Sequence, residues 1–92
     1  MKELILTCIV KKELRGGYSS LCPELDVASR GDTIEEAREN LQEAVRGHLQ
    51  TAQQEGMIQD ILEQLGIAEK DLKGDRVYTT SFSTPLAVEL PV

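Results

Sequence analysis

The first twelve residues carry a hydrophobic pattern that predicts a strand with two apolar faces. Successive side chains of a strand point to opposite faces, so even-numbered and odd-numbered residues separate. Between Lys2 and Lys12, one face would carry Leu4, Leu6, Cys8 and Val10, and the other Ile5, Thr7 and Ile9. A strand that is apolar on both faces needs cover on both, which predicts a central strand or a subunit contact.

Two further strands are predicted directly after the first. Residues 13–17 are polar and end in Gly16 and Gly17, which supply the positive φ angles that a hairpin turn needs. A second strand over residues 18–22 ends at Pro23, because proline has no N–H to donate to a ladder. A third strand fits residues 27–30. Three strands on short connections predict an antiparallel meander.

A capping box marks the start of a long helix. In Thr33-Ile34-Glu35-Glu36, the threonine hydroxyl can accept from a backbone N–H of the first turn, and Glu36 can reach back. Apolar and small residues then recur every three or four positions, which predicts one buried stripe ending before Gly56. The stripe consists of Ile34, Ala37, Leu41, Ala44, Val45, His48, Leu49 and Ala52.

The rest of the chain predicts a short helix, a strand and an extended tail. Residues 57–65 fit a helix that turns Ile58, Ile61, Leu62 and Leu65 inward, residues 76–82 fit a strand, and residues 86–90 alternate after Pro85. The predicted fold class is therefore α+β, in the order β-β-β-α-α-β. At 92 residues and 10.2 kDa, the chain has room for one core. We expect a single domain over residues 1–83 and a tail over residues 84–92.

The charge is concentrated in the middle of the chain. The net charge is -6, and residues 32–75 carry eleven acidic and four basic side chains. An acidic surface repels phosphate, so no nucleic-acid partner is expected. The apolar run that ends at Lys11 is too short for a membrane span and has no cleavage site, which predicts a cytoplasmic protein. Glu35, Glu39 and Glu43 form either an ordinary solvated helix face or a surface for a basic partner.

The two cysteines and the single histidine are the side chains that could take part in chemistry, and each of them can also be explained as a purely structural residue. Cys8 and Cys22 would face each other if the hairpin turned about Arg15. The pair is then either a redox pair, half of a metal site, or two small buried hydrophobes in a reducing compartment. One histidine cannot complete a metal site, and His48 is expected to pack within the helix stripe. We therefore expect no catalytic residue, no metal and no cofactor.

The stretch GYSSLCPELDVASRGDTIEEARENLQEAV at residues 17–45 resembles the HicB-like antitoxin family. The combination of CPEL, GDT and EEA at this spacing carries the resemblance. The family-motif positions expected to be structural are Gly17, Tyr18, Cys22, Pro23, Glu24, Gly31, Asp32, Thr33, Glu36 and Ala37. The chain departs from many relatives at Asp26-Val27-Ala28, where they carry a Gly-Cys pair.

The resemblance implies a fold similar to a partial ribonuclease H fold and a role as an antitoxin. Members of the family mask the active site of small basic HicA-like toxins that cleave mRNA, and they commonly form dimers or higher oligomers. We expect Tyr18, Glu35, Glu39 and Glu43 to contact such a partner. The chain ends at Val92, which predicts a short member of the family without the C-terminal DNA-binding segment.

Nuclease activity is not expected, because the interior of the first strand and residues 76–82 hold no carboxylate for a two-metal site. The alternative hypothesis is a stand-alone homo-oligomeric domain of the same family that binds a small ligand or another protein and has no toxin partner.

Overall fold

The computed structural model describes residues 2–79 and 82–92, and its architecture is α+β as predicted. Five strands and two α-helices are joined by short connections, with one 3-10 turn before the last strand. In chain order they are β1 (Glu3–Ile5), β2 (Ile9–Lys12), β3 (Tyr18–Cys22), β4 (Val27–Gly31), α1 (Ile34–Gln54), α2 (Ile58–Gln64), the 3-10 turn (Glu69–Lys73) and β5 (Arg76–Tyr78).

Strands β2, β3 and β4 form the predicted antiparallel meander. The β2–β3 hairpin turns about Arg15, because Ile9 lies opposite Leu21 and Lys12 opposite Tyr18. Gly16 and Gly17 have φ angles of 100° and 78°, which explains why two glycines follow each other here. Strand β4 continues the sheet, with Tyr18 opposite Gly31 at one end and Cys22 opposite Val27 at the other.

The prediction of one continuous strand from Lys2 to Lys12 is wrong. Residues 6–8 pair with no strand, and they separate β1, which pairs in parallel with β5, from β2, which pairs with β3. The physical reason is a side chain: the Glu24 carboxylate accepts the Thr7 N–H at 3.0 Å and the Thr7 hydroxyl at 2.7 Å. The Glu24 carboxylate thus replaces the backbone carbonyl of a neighbouring strand as hydrogen-bond acceptor at residues 6–8. This is the point between β1, which pairs with β5, and β2, which pairs with β3.

Helix α1 begins at the predicted cap and packs across β3 and β4. The Glu36 N–H donates to the Thr33 hydroxyl at 3.0 Å, and Glu36 accepts from the Asp32 N–H at 3.3 Å. Most of the predicted stripe is buried or half-buried, namely Ala37, Leu41, Ala44, Val45, Leu49 and Ala52. The predicted packing of Ile34 and His48 is wrong, because both are exposed. A helix of 21 residues is about 31 Å long, which exceeds the five-residue strands beneath it.

The main apolar core lies where α2, β5 and the second half of α1 meet. Its buried members are Ala52, Ile61, Leu65, Ile67 and Val77, with Leu4 and Leu49 packed against them. The predicted inward positions of the second helix are confirmed, since Ile61 and Leu65 are buried and Ile58 and Leu62 half-buried. The short helix therefore closes the end of the molecule that the meander does not reach.

The last predicted strand is shorter than expected. Strand β5 ends at Tyr78, residues 80–81 of the predicted strand lie outside the described part of the chain, and Phe82 is in no strand. From Phe82 to Val92 the chain is in no helix or strand, and all of these residues are exposed. Among residues 2–79 and 82–92, no helix is both long enough and apolar enough to span a membrane.

Candidate protein-binding surface

Helix α1 presents an acidic face on the side opposite its buried stripe. Glu35, Glu39 and Glu43 follow each other at four-residue intervals, and all three are exposed. Positions four apart in a helix lie about 6 Å apart along the axis and turn by about 40°. The three carboxylates therefore form a row of about 12 Å that faces solvent. This acidic row (Glu35, Glu39 and Glu43) is the predicted contact surface.

Two arginines on the same helix partly neutralise the acidic row. Arg38 donates to Glu35 at 2.9 Å, and Arg46 pairs with Glu43. The hydrogen bond to Glu35 raises the pKa of Arg38 above its ordinary value. Within the described residues, Glu39 makes no ion pair and no side-chain hydrogen bond. Exposed pairs at this spacing contribute only a few tenths of a kcal/mol, so an incoming cation could displace them easily.

The other acidic side chains of residues 32–75 are exposed as well. All eleven acidic side chains between residues 32 and 75 are exposed. They include Glu55, which follows α1, and Asp60 and Glu63, which lie in α2. Exposed charge of one sign raises the rate at which a partner of opposite sign associates. The surface therefore fits a basic partner.

The opposite charge collects at the β2–β3 hairpin, which the sequence reasoning missed. Lys11, Lys12, Arg15 and Arg30 line one open groove at the hairpin end, together with Glu13 and the fully exposed Leu14. Arg30 comes from β4, which the sheet register brings beside the hairpin, since Arg30 lies opposite Ser19. The three basic side chains between Lys11 and Arg15 were a usable signal in the sequence. The molecule has a basic end and an acidic helix.

Glycine is favoured at positions 31 and 17 because the backbone of another segment lies close to each of them. A Cβ atom on Gly31 would lie 2.5 Å from the Ala37 nitrogen and 2.8 Å from the Glu36 carbonyl carbon, in the first turn of α1. A Cβ atom on Gly17 would lie 3.1 Å from the Gly31 oxygen. Gly31 therefore allows β4 and the start of α1 to pack against each other, and Gly17 allows the β2–β3 turn to lie close to β4.

Glu24 holds the β3–β4 turn against the junction of β1 and β2. It follows Cys22 and Pro23 in that turn. Partial burial alone would raise the pKa of Glu24, but the hydrogen bonds from Thr7 outweigh it and hold that pKa below its ordinary value. The Cys22 thiol lies 3.6 Å from the Glu24 carboxylate. Burial, and then the Glu24 charge, raise the pKa of Cys22. Cys22 is thus a buried thiol in a structural cluster.

Asp26, in the turn between β3 and β4, has a backbone conformation that is uncommon outside glycine. Asp26 has a φ of 54°, and among the described residues it has the only positive φ outside glycine. Aspartate tolerates this left-handed conformation better than most residues, and glycine adopts it without steric cost. The turn between β3 and β4 therefore places aspartate at a position that glycine would also fit.

Tyr18 lies away from the acidic row. Residues 18, 20 and 22 of β3 share one face of the sheet, and Ser20 on that face donates to the Ala37 carbonyl oxygen at 2.8 Å. Tyr18 is therefore half-buried on the helix side, beside Gly31 in the register. Ser20 itself is a structural residue that the sequence reasoning missed. The available signal was its position on the same strand face as Tyr18 and Cys22.

A shallow groove of 270 Å³ runs between the β1–β2 junction and α1. Cys8, Cys22, Arg38 and Leu41 are among its lining residues. Both cysteines are free thiols, Cys8 exposed and Cys22 buried, and the ladder ends one pair before they would meet. No group of three or more His, Cys, Asp or Glu side chains that could hold a metal ion lies in residues 2–79 and 82–92.

Comparison with known proteins gives one partial match. The UPF0150 protein ssr1765 of Synechocystis sp. is 44% identical over 46 residues, which is 49% of this chain. The aligned region spans 58% of the length of that relative. UPF0150 is a HicB-like family, so the match supports the resemblance to that family. No protein-family model matches the chain, and no solved structure does.

Proposed function

We propose that this chain is a HicB-like antitoxin, which binds a small basic toxin that cleaves mRNA and masks its active site. The observation that carries the proposal is the acidic row of α1. This row begins in the first turn of the helix, next to the motif residues that form the helix start. The motif builds the start of α1 through Gly31 and Thr33, and the helix then presents Glu35, Glu39 and Glu43 to solvent.

The charge of this surface suits such a partner. A protein that binds RNA needs a basic surface to neutralise phosphates. The same basic surface is attracted to a row of carboxylates that lies within about 12 Å. Because the row projects from a rigid helix, it can occupy an RNA-binding groove with little conformational cost. Steric exclusion of RNA then inhibits cleavage, and the antitoxin performs no chemistry of its own.

The experiment compares two triple variants that change net charge equally. One replaces the acidic row (E35Q, E39Q and E43Q), and the matched control replaces the exposed carboxylates beyond it (E55Q, D60N and E63Q). The partner is the small basic protein that co-purifies with the tagged chain from its native host, purified and assayed for RNA cleavage. Association and dissociation rates are measured at low and at physiological salt.

We expect the row variant to associate about tenfold more slowly at low salt, because steering by three charges is lost. The control variant should keep more than half of the wild-type rate. Equal losses in both variants would show that only net charge matters and would contradict the assignment of the row. A co-purified partner that does not cleave RNA would contradict the antitoxin function.

A stand-alone homo-oligomeric domain without a toxin partner is the second candidate. The observation that favours it is the exposed apolar tail, where Phe82, Leu86, Val88 and Leu90 are all at least 74% exposed. Large exposed apolar patches mark interaction sites. The two candidates differ in the composition of the complex that the tagged chain forms in its host, which is either homomeric or contains a ribonuclease.

A further inference from the structure

The two cysteines lie at the same end of the β2–β3 hairpin, on the side of the sheet that faces α1. Both line the groove of 270 Å³, together with Leu41 of the helix. Cys22 is buried, with 1% of its surface exposed, whereas Cys8 is exposed. The acidic row uses neither thiol, so this pair of one exposed and one buried thiol is left without a role.

The register of the hairpin brings the two cysteines to opposite positions. The last pair of the β2–β3 ladder contains Ile9, and the next positions along the two strands are Cys8 and Cys22. Near the turn, the Glu13 N–H donates to the Gly17 carbonyl oxygen at 3.0 Å. Hydrogen-bonded and non-hydrogen-bonded pairs alternate from that point, so the cysteines fall at a non-hydrogen-bonded position. Side chains at such a position share one face, and their Cα atoms are about 4.5 Å apart, which a disulfide can span.

The ladder ends before the cysteines because the next pair has no backbone donors. Pro23 has no N–H, and the Thr7 N–H donates to Glu24 Oε1 at 3.0 Å instead. The same oxygen accepts from the Cys22 thiol at 3.6 Å. The Glu24 carboxylate therefore ties the residue before Cys8 to Cys22. The last ladder pair holds the residue after Cys8, so Cys8 is tethered to β3 on both sides.

The different burial of the two thiols determines the order in which they react. Oxidants attack accessible thiols, so Cys8 is oxidised first and Cys22 is protected. Burial raises the pKa of Cys22, which keeps this residue protonated in the reduced chain. A buried thiol can still react with an oxidised neighbour that is held beside it, because that reaction needs no access from solvent.

We propose that Cys8 and Cys22 form a reversible disulfide within one chain when a peroxide reaches Cys8. The peroxide transfers one oxygen atom to the Cys8 thiol, which gives a sulfenic acid and, from hydrogen peroxide, water. The Cys22 sulfur then attacks the sulfenic sulfur. The Cys22 proton passes to the Glu24 carboxylate and on to the departing hydroxide, which leaves as water. A dithiol reductant restores both thiols and is itself oxidised to a disulfide.

This inference does not depend on the antitoxin function, because neither thiol belongs to the acidic row. The test treats the reduced full chain, at low micromolar concentration, with a small excess of hydrogen peroxide. Intact mass and a non-reducing peptide map then give the products over time. The matched control moves the exposed thiol by one position, as Cys8→Ser combined with Ile9→Cys. Ile9 is also exposed, at 47%, but its side chain points to the opposite face of the strand.

We expect the wild-type chain to lose two hydrogens without a link between chains, and the map to join the peptides that contain Cys8 and Cys22. Dithiothreitol should restore the original mass. The oxidised chain should melt about 5–15 °C higher than the reduced chain, because the link restricts the unfolded state. The control should form an internal disulfide at least tenfold more slowly, with folding checked by circular dichroism.

Three results would overturn the proposal. The first is a wild-type chain that keeps both thiols under peroxide. The second is oxidation of Cys8 to a sulfinic acid, or to disulfides between chains, while Cys22 stays reduced. The third is a folded control that forms the internal disulfide as fast as the wild type, because the hairpin register would then have no part in the reaction. The first two are measured on the wild-type chain and hold even if the control does not fold.

Discussion

Gly31→Ala should destabilise the fold strongly, although it adds only one methyl group. The new Cβ atom would lie 2.5 Å from the Ala37 nitrogen and 2.9 Å from the Glu36 Cβ. Optimal contacts of this kind are about 3.5–4.0 Å, so the start of α1 must move away from β4 by about 1 Å. The obstacle includes helix backbone, which cannot rotate aside as a flexible side chain could.

The free energy of unfolding of the Gly31→Ala variant should be lower than that of the wild type by about 2–3 kcal/mol. Overpacking of a tight site costs about 1–3 kcal/mol. The shift also strains the buried hydrogen bond from Ser20 to Ala37, which contributes about 1 kcal/mol. Alanine restricts the unfolded chain, and this offsets about 0.4–1 kcal/mol of the loss. For a domain of this size, the melting temperature should fall by about 10–20 °C.

Gly47→Ala is the matched control, because Gly47 lies inside α1 and has no atom within 4 Å of an added Cβ. This variant should gain about 0.5–1 kcal/mol, since glycine is unfavourable in a helix interior. Urea unfolding followed by circular dichroism, at one fixed protein concentration, measures both variants. If Gly31→Ala lost less than about 0.5 kcal/mol, or were stabilised like Gly47→Ala, the close-approach explanation of the motif glycine would be refuted.

Three further predictions concern the residues around the motif. Ser20→Ala should lose about 1 kcal/mol in urea unfolding, because the buried hydroxyl donates to the Ala37 carbonyl oxygen; an unchanged midpoint would contradict this. The pKa of Glu24 is lowered in the folded state, so its contribution is present above the unfolded pKa and lost as pH falls through the folded pKa. Glu24→Gln should therefore unfold more easily at pH 7 and show a flatter decline in stability below about pH 4.5, whereas a parallel decline would count against the Thr7–Glu24 link. Asp26→Gly should be neutral or stabilising by up to about 1 kcal/mol, because it relieves a positive φ; a clear loss would show that the Asp26 side chain has its own role.

The local elements could be predicted because local signals determine them. The capping box at Thr33 places the start of α1 within one residue. The two glycines after Arg15 fix the hairpin turn and hence its register. Proline at position 23 ends β3 as expected. In each of these cases, the residues that decide the structure are neighbours in the chain.

The features that could not be predicted depend on residues far apart in the chain. The break at residues 6–8 follows from the Glu24 side chain, 17 positions away from Thr7. The parallel pairing of β1 with β5 joins residues more than 70 positions apart. The exposure of His48 depends on where the sheet ends beneath α1, which helical periodicity does not reveal. These are tertiary effects, so hydrophobic patterns alone do not contain them.

The acidic row was predictable as a pattern, because the four-residue spacing of Glu35, Glu39 and Glu43 already defines one helix face. The structure adds that two of these carboxylates pair with arginines of the same helix. It also reveals the basic hairpin end, which needs the sheet register to bring Arg30 beside Arg15. A polar surface of this kind emerges only when strands that are distant in sequence are placed side by side.

The most direct test of the proposed antitoxin function is a titration of RNA cleavage. The small basic protein that co-purifies with the chain is held at a fixed concentration with a labelled mRNA, and purified chain is added in increasing amounts. We predict that cleavage stops at about one chain per toxin, and that the E35Q, E39Q and E43Q variant needs a clear excess. Undiminished cleavage at a tenfold excess of wild-type chain would rule out the proposed antitoxin function.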